Sequence, residues 1–292
     1  MASTEPKATG SAGFRRRIRR SIMHRLLRPV GGTRVRDGEA VAGKRILLTG
    51  ASAGIGRAAA IRLAGAGAEL ILVARRGDEL EQLRDEIAAS GGKVEIRVCD
   101  MADTEQVGEL VRWVVDAYGG VDVLINNAAR SIRRPLTESF DRLHDFQRTM
   151  AVNYFGAVQL SLGLLPGMVA RGDGHVVNVG TWTVVADTSP RLAAYHASKA
   201  ALAGFGRSAD GELAADGIAF TSIHYPLVHT AMSSPTAKYR AMPGLTTEQA
   251  AQWMVKAIAE RPVRMVPRYA AMLRLLGLFA PRAVDRALMT RA

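Results

Sequence analysis

The sequence predicts an α/β fold in which helices cover both faces of one doubly wound parallel sheet. Two observations predict it. From residue 44 onward, short runs rich in Ile, Leu and Val alternate with longer segments whose apolar residues recur at helical spacing, the pattern of strand–helix–strand units. At the first junction a glycine run, Gly50-Ala51-Ser52-Ala53-Gly54-Ile55-Gly56, follows the apolar run Lys44–Thr49 and opens an Ala-rich helical segment. Glycines between a strand and a helix mark a tight turn with an approachable backbone. With 292 residues, 48% of them hydrophobic, the chain can bury a sizeable core.

Taken in order, residues 1–12 are small and polar and are predicted to be disordered. Phe14, Ile18, Ile22, Leu26 and Val30 recur every four residues, and arginines fill most of the positions between them. That spacing predicts a basic amphipathic helix over Phe14–Val30, suited to an anionic membrane surface or to packing as an arm on the body or on a partner subunit. The arginines interrupt any signal-peptide core. Gly31-Gly32 opens a linker to about Gly43, so the organisation is an N-terminal arm over 1–43, a body over 44–267 and a C-terminal segment over 268–292. Strands are predicted at 45–49, 69–74, 94–98, 121–126, 174–180, 218–225 and 262–266. Helices are predicted near 55–66, 78–90, 104–118, 141–170, 193–214 and 247–260. No internal repeat is present, and no apolar run reads as long enough to cross a bilayer. Tyr269–Ala292 is apolar with spaced arginines, open to three readings: a lid over an oily site, a membrane-surface segment or a dimer contact.

The net charge of +12 is uneven: residues 1–36 contribute +9, residues 261–292 contribute +6, and the middle carries −3. A body with no basic surplus argues against a nucleic-acid partner. The single cysteine, Cys99, excludes an internal disulfide and suits a reducing, cytoplasmic setting. It ends a predicted strand with no activating neighbour, so no thiol chemistry is expected of it. No metal site is expected either.

Two motifs carry chemistry. In the glycine run, Gly50 permits the turn, Gly54 lets backbone approach a pyrophosphate and Gly56 lets the helix pack closely. The new helix offers free N–H groups and a positive dipole end to phosphate. About 140 residues downstream, Tyr195 and Lys199 stand four residues apart on one helical face. A lysine cation beside a phenol is expected to lower its pKa. A phenol so tuned can pass a proton to a carbonyl oxygen while hydride reaches the carbon.

With Thr49-Gly50-x-x-x-Gly54-x-Gly56, Asn126-Asn127-Ala128-Ala129, Asn153 and Tyr195-x-x-x-Lys199 in this order, the chain resembles the short-chain dehydrogenase/reductase family over roughly 44–266. The resemblance implies a single Rossmann-like domain and an assembly of two or four subunits. It implies that Tyr195 is the proton donor or acceptor, that Lys199 lowers its pKa and binds the nicotinamide ribose, and that Asn153 holds a water in the proton relay, a helix-capping amide being the alternative for Asn153. Asn126 would stabilise the sheet. Gly50, Ser52, Ala53, Gly54, Ile55, Gly56, Asp100, Met101, Asn127 and Ala128 would line the dinucleotide, with Asp100 on the adenine. Where the family carries a serine about thirteen residues before the tyrosine, this chain has Thr181, fourteen before. Thr181 keeps the needed hydroxyl and takes the role, with Thr183 in reserve. After the sixth strand, Pro226, Val228 and Thr230 would meet the nicotinamide amide; His229 reads as a bystander. The second strand ends in Arg75-Arg76 with no acid at its tip. That implies NADP(H), its 2′-phosphate held by Arg75 first and Arg76 second, with help from Arg57; a solvated pairing with Asp78 and Glu79 is the alternative.

Three stretches, Asn126–Arg134, Met150–Val158 and Pro226–Met232, resemble the fatty acyl-CoA reductase-like branch of the family. That branch reduces long-chain acyl thioesters to aldehydes. Arg130, Arg133 and Arg134 would dock coenzyme A phosphates, or pair with Glu138, Asp141 and Asp145. The implied chemistry is direct hydride attack on the thioester carbon, with Thr181 and Tyr195 holding the oxyanion. Two alternatives stand beside it: an alcohol or ketone oxidoreductase on a lipophilic substrate, and a membrane-associated adaptor that keeps the cofactor fold without catalysis. The basic ends are compatible with peripheral membrane contact.

Overall fold

A computed structural model describes residues 26–30 and 40–289. Its elements in chain order are β1 (Pro29–Val30), β2 (Arg45–Thr49), α1 (Gly54–Gly65), β3 (Glu69–Ala74), α2 (Gly77–Ala89), β4 (Lys93–Val98), α3 (Thr104–Tyr118), β5 (Val123–Asn126), α4 (Leu143–Met150) and α5 (Gly156–Arg171). Then come β6 (Gly174–Thr181), α6 (Trp182–Val185), α7 (Ala193–Leu213), β7 (Ile218–Tyr225), α8 (Ala237–Arg240), α9 (Thr247–Glu260), β8 (Arg264–Pro267), α10 (Arg268–Phe279) and α11 (Pro281–Met289). The sheet runs β1-β8-β7-β6-β5-β2-β3-β4. β2 to β8 are mutually parallel, and β1 alone is antiparallel, pairing Pro29 with Pro267 and Val30 with Val266.

The central strands are buried on both faces, which is why they read as continuous apolar runs rather than alternating ones. One core layer packs α1 and α9 against the sheet, through Leu63, Trp253, Met254 and Ile258 among others. The other packs α3 and α5, through Val107, Leu110, Leu160, Leu164 and Met168. Helix boundaries follow local chemistry. The Asp103 side chain accepts from the backbone N–H groups of Glu105 and Gln106 to start α3, and Gly119 ends it at φ 69°. Thr246 and Gln249 form a reciprocal capping box at the start of α9.

Two expectations are corrected and one is refined. The arm helix falls mostly outside the described residues; within them Pro29–Val30 is strand, so the helix does not extend to Val30. The long helix expected over 141–170 is present as Leu143–Arg171, with an unexpected π-turn at Ala151–Phe155 between α4 and α5. A Cβ at Gly156 would lie 1.9 Å from the Met101 carbonyl oxygen, so the π-turn seats α5 closer to the β4–α3 loop than any side chain permits. Finally, the continuous helical run Leu143–Arg171 does reach the length and apolarity of a membrane span. Much of it is buried against α3 and α7, as in a core helix.

Candidate active site

The carboxyl ends of β2 to β7 open into one cavity of about 1040 Å³, where open α/β sheets bind ligands. Its floor is the glycine turn. Gly50 has φ +68°, and a Cβ there would lie 2.8 Å from Ala128 Cα; a Cβ at Gly56 would lie 2.2 Å from the Gly50 carbonyl oxygen. The turn is therefore packed as tightly as backbone allows. The Thr49 hydroxyl fastens it, donating to the Ile125 carbonyl and accepting from the N–H groups of Asn127 (3.0 Å) and Ala128 (3.0 Å). The Asn127 amide donates to the carbonyls of Thr49 and Gly50. α1 starts at Gly54 with no side-chain cap and no acid in its first turn. Its first N–H groups and positive dipole end thus face the cavity without a built-in anion. This is a cradle a dinucleotide phosphate fits. Ser52, Ala53, Gly54, Ile55, Gly56, Asp100, Met101, Asn127, Ala128, Pro226, Val228 and Thr230 all line the same cavity.

Tyr195 and Lys199 stand on α7 and face the cavity together with Thr181 at the end of β6. What uncovers Tyr195 is the cavity rather than bulk solvent, and burial pushes its phenol up to about 12. The expectation that Lys199 lowers this pKa is corrected. Lys199 is 2% exposed and donates from Nζ to the Val179 carbonyl at 2.8 Å. Burial pulls its own pKa down to about 8. Desolvation by burial is the one cause acting on each group. Thr181 ends its strand beside Tyr225, and the Thr183 hydroxyl donates to the Thr181 hydroxyl at 3.3 Å. His224 Nδ1 lies 3.2 Å from the Thr181 carbonyl oxygen, so the ring donates there. Burial pulls His224 down to about 4, which keeps the ring neutral.

Asn153, in the π-turn, is fully buried and does not line the cavity. Its Oδ1 accepts from the Arg130 N–H (2.7 Å), while its Nδ2 donates to the Arg130 carbonyl (2.9 Å) and the Ser198 hydroxyl (2.9 Å). Both N–H groups of its amide are taken by protein partners, and its Oδ1 keeps a second lone pair. What it does is tie the loop after β5 to α7. Asn126 donates to Ser161 and Asn178, bridging β5, β6 and α5.

The arginines divide. Arg76 donates to the Ser52 hydroxyl at 3.1 Å and pairs with Glu79, so it touches the glycine turn. Arg75 reaches Asp100 at 3.6 Å instead. Both line the cavity. Arg57 pairs with Glu86 on α2 and takes no part. Arg130 and Arg133 line the mouth, but Arg134 turns away toward the buried Asp145, which also pairs with Arg142 and Arg148. These cations hold the Asp145 carboxyl far below the usual carboxylate range. Arg134 is thus the one member of the predicted cluster that the fold withdraws. Cys99 is buried at the cavity lining, its thiol pushed up to about 11 by burial. His229 lies outside the cavity lining.

The apolar C-terminal segment covers the cavity, one of its three open readings, and sequence reasoning missed only its partners Trp182, Leu26 and Leu27. Trp182, directly after Thr181, meets Tyr269 of α10 edge-on with ring centres 5.2 Å apart. Behind them Tyr269, Met272, Leu273 and Leu276 of α10 and Leu26 and Leu27 from the arm close one side of the cavity. The helical spacing of 269, 272, 273 and 276 was the available signal for the segment itself.

A family model described as short chain dehydrogenase matches residues 44–241. The chain is 48% identical over 249 residues to a fatty acyl-CoA reductase of Mycobacterium tuberculosis, covering 85% of this chain and 84% of that protein. It is 45% identical over 243 residues to a fatty acyl-CoA reductase of Acinetobacter baylyi, covering 83% and 82%. Among solved structures, L-sorbose reductase from Gluconobacter frateurii, complexed with NADPH and L-sorbose, superposes with a TM-score of 0.69 at 29% identity, covering 76% of this chain and 91% of that one.

Proposed function

The chain belongs to the short-chain dehydrogenase family and is an oxidoreductase, and from that premise we propose that it reduces long-chain fatty acyl-CoA to fatty aldehyde with NADPH. The observation that carries the reading is the joining of a phosphate cradle, the Tyr195 phenol and an apolar wall in one cavity of about 1040 Å³. The identity to two fatty acyl-CoA reductases supports the substrate class. The arginines after β3 and the NADPH held by the sorbose reductase support the cofactor.

When bound, a nicotinamide cofactor supplies the hydride. The chain's residues do the rest. Ser52 to Gly56 and the start of α1 hold the pyrophosphate, Arg76 and Arg75 the 2′-phosphate, and Asp100 and Met101 flank the adenine. Asn127 and Ala128 run beside the dinucleotide, and Pro226, Val228 and Thr230 orient its amide. Lys199, anchored on Val179, holds the ribose. Thr181 donates a hydrogen bond to the thioester oxygen, and Tyr195 gives it a proton as negative charge develops there. The hydroxyl proton of the resulting hemithioacetal returns to the Tyr195 phenolate as the C–S bond breaks, and the departing thiolate takes a proton from solvent, so the products are aldehyde and free thiol. Arg130 and Arg133 at the mouth contact the phosphates of the coenzyme. Two or four subunits assemble, and the basic ends contact a membrane.

The test is incubation with NADPH and a panel of acyl-CoAs, ketones and aldehydes, with products identified by mass. Free CoA appearing in step with NADPH loss is expected. Tyr195→Phe should lower the rate at least about 100-fold, the usual contribution of a positioned acid. NADPH loss on ketones with none on acyl-CoA would replace this reading by a lipophilic ketone reductase, the alternative that the likeness to a sugar ketone reductase favours.

A further inference from the structure

α10 has two overlapping rows. Tyr269, Met272, Leu273 and Leu276 face the cavity. Met272, Leu275, Leu276 and Phe279 face outward, with Leu278 beside them; Phe279 is 90% exposed, Leu278 68% and Leu275 63%. Both rows have the i, i+3, i+4, i+7 spacing of one helical face, and they share Met272 and Leu276. The cavity wall and an exposed apolar surface are therefore continuous. An apolar surface of this kind on a folded chain marks an interaction site.

Charge says what covers it. Arg268 and Arg274 of α10 and Arg282 and Arg286 of α11 are exposed, against the single acid Asp285. Arg28 is exposed as well, and its carbonyl accepts from the Arg268 N–H, which sets it at the foot of α10. Two copies meeting through this face would oppose like charges, which is costly. An anionic lipid headgroup layer complements them, and the apolar row sinks into the acyl boundary.

We infer that α10 and α11 dock on an anionic bilayer, and that the Met272–Leu276 edge is the door through which an acyl chain passes sideways from the lipid into the cavity. The docking stands on the surface alone; the door rests on the acyl-substrate reading above.

The test uses the full chain and vesicles of phosphatidylcholine, with and without one part in three phosphatidylglycerol. A double variant, Leu275→Glu with Phe279→Glu, changes two exposed side chains outside the cavity lining. Its thermal unfolding should match wild type. Wild type should co-sediment preferentially with the anionic vesicles, and the variant should bind them at least about tenfold more weakly, given the cost of placing carboxylates at an acyl boundary. Turnover of a water-soluble short-chain acyl-CoA should be unchanged in the variant, while turnover of a vesicle-borne long-chain acyl-CoA falls. Unchanged vesicle binding overturns the docking. So does loss of self-association in sedimentation without loss of vesicle binding, which assigns the face to a second copy. If the variant loses vesicle binding but wild type reduces no acyl-CoA, the docking holds and the acyl reading and its door fall.

Discussion

At the residue scale most side chains named from sequence line one cavity, while Arg57, Arg134 and Asn153 stand outside its lining. Asn153 spends both ends of its amide on Arg130 and Ser198. Lys199 spends its ammonium on Val179. Neither partner was legible, because a residue's type says what it can bond and only the fold says what lies beside it. Ser198, whose hydroxyl donates to the Tyr195 carbonyl at 2.7 Å, went unread although it sits inside the motif itself. Asn153→Ala should strand the Arg130 N–H and C=O and the Ser198 hydroxyl. A loss of about 2–4 kcal/mol is expected from groups left unpaired in the interior, read as a lower urea midpoint with unchanged slope. A loss under about 0.5 kcal/mol, within the range of surface substitutions, would show that water replaces the amide.

At the element scale, strand and helix positions from 45 to 260 were legible almost to the residue, because buried parallel strands are uniformly apolar and the helices keep their period. The π-turn was not. A single extra residue leaves the apolar spacing of 141–170 nearly intact, and the Gly156–Met101 approach that demands it is a long-range fact. The role of α10 was open for the same reason: its partner Trp182 lies 87 residues earlier in the chain. The glycine turn gives a sharp contrast inside one helix. Gly56→Ala places a Cβ 2.2 Å from the Gly50 carbonyl, and that backbone cannot yield without opening the cradle. Gly65, at the far end of α1, has open space at its Cβ position. NADPH fluorescence titration should show at least about a tenfold weaker affinity for Gly56→Ala, the size of effect a displaced phosphate contact gives. Gly65→Ala should bind normally and gain about 0.5–1 kcal/mol of stability. Equal affinities in the two variants would disprove the close-packed cradle.

On the scale of the whole molecule, the cavity gathers residues from six strand ends and both terminal segments, so a bound dinucleotide should brace most of the chain at once. NADPH at about 100 times its dissociation constant adds about 2.7 kcal/mol. For a chain of this size that corresponds to a rise in Tm of roughly 5 °C. Scanning calorimetry should find NADH at the same concentration far less effective; equal shifts would mean that Arg75 and Arg76 do not read the 2′-phosphate. The sheet's two borders also differ in a way that bears on how the chain can be handled. At one border β4 is mostly exposed and carries Lys93, Glu95 and Arg97, charges that deter a foreign strand from annealing. At the other, β8 carries no such guard beyond Arg264, and Pro29–Val30 covers it instead. Trimming the arm past residue 30 to obtain a tidier domain would therefore uncover β8, whose guards among the described residues are then Arg264 and Pro267. A strand of a second copy could then anneal to β8 in the arm's place.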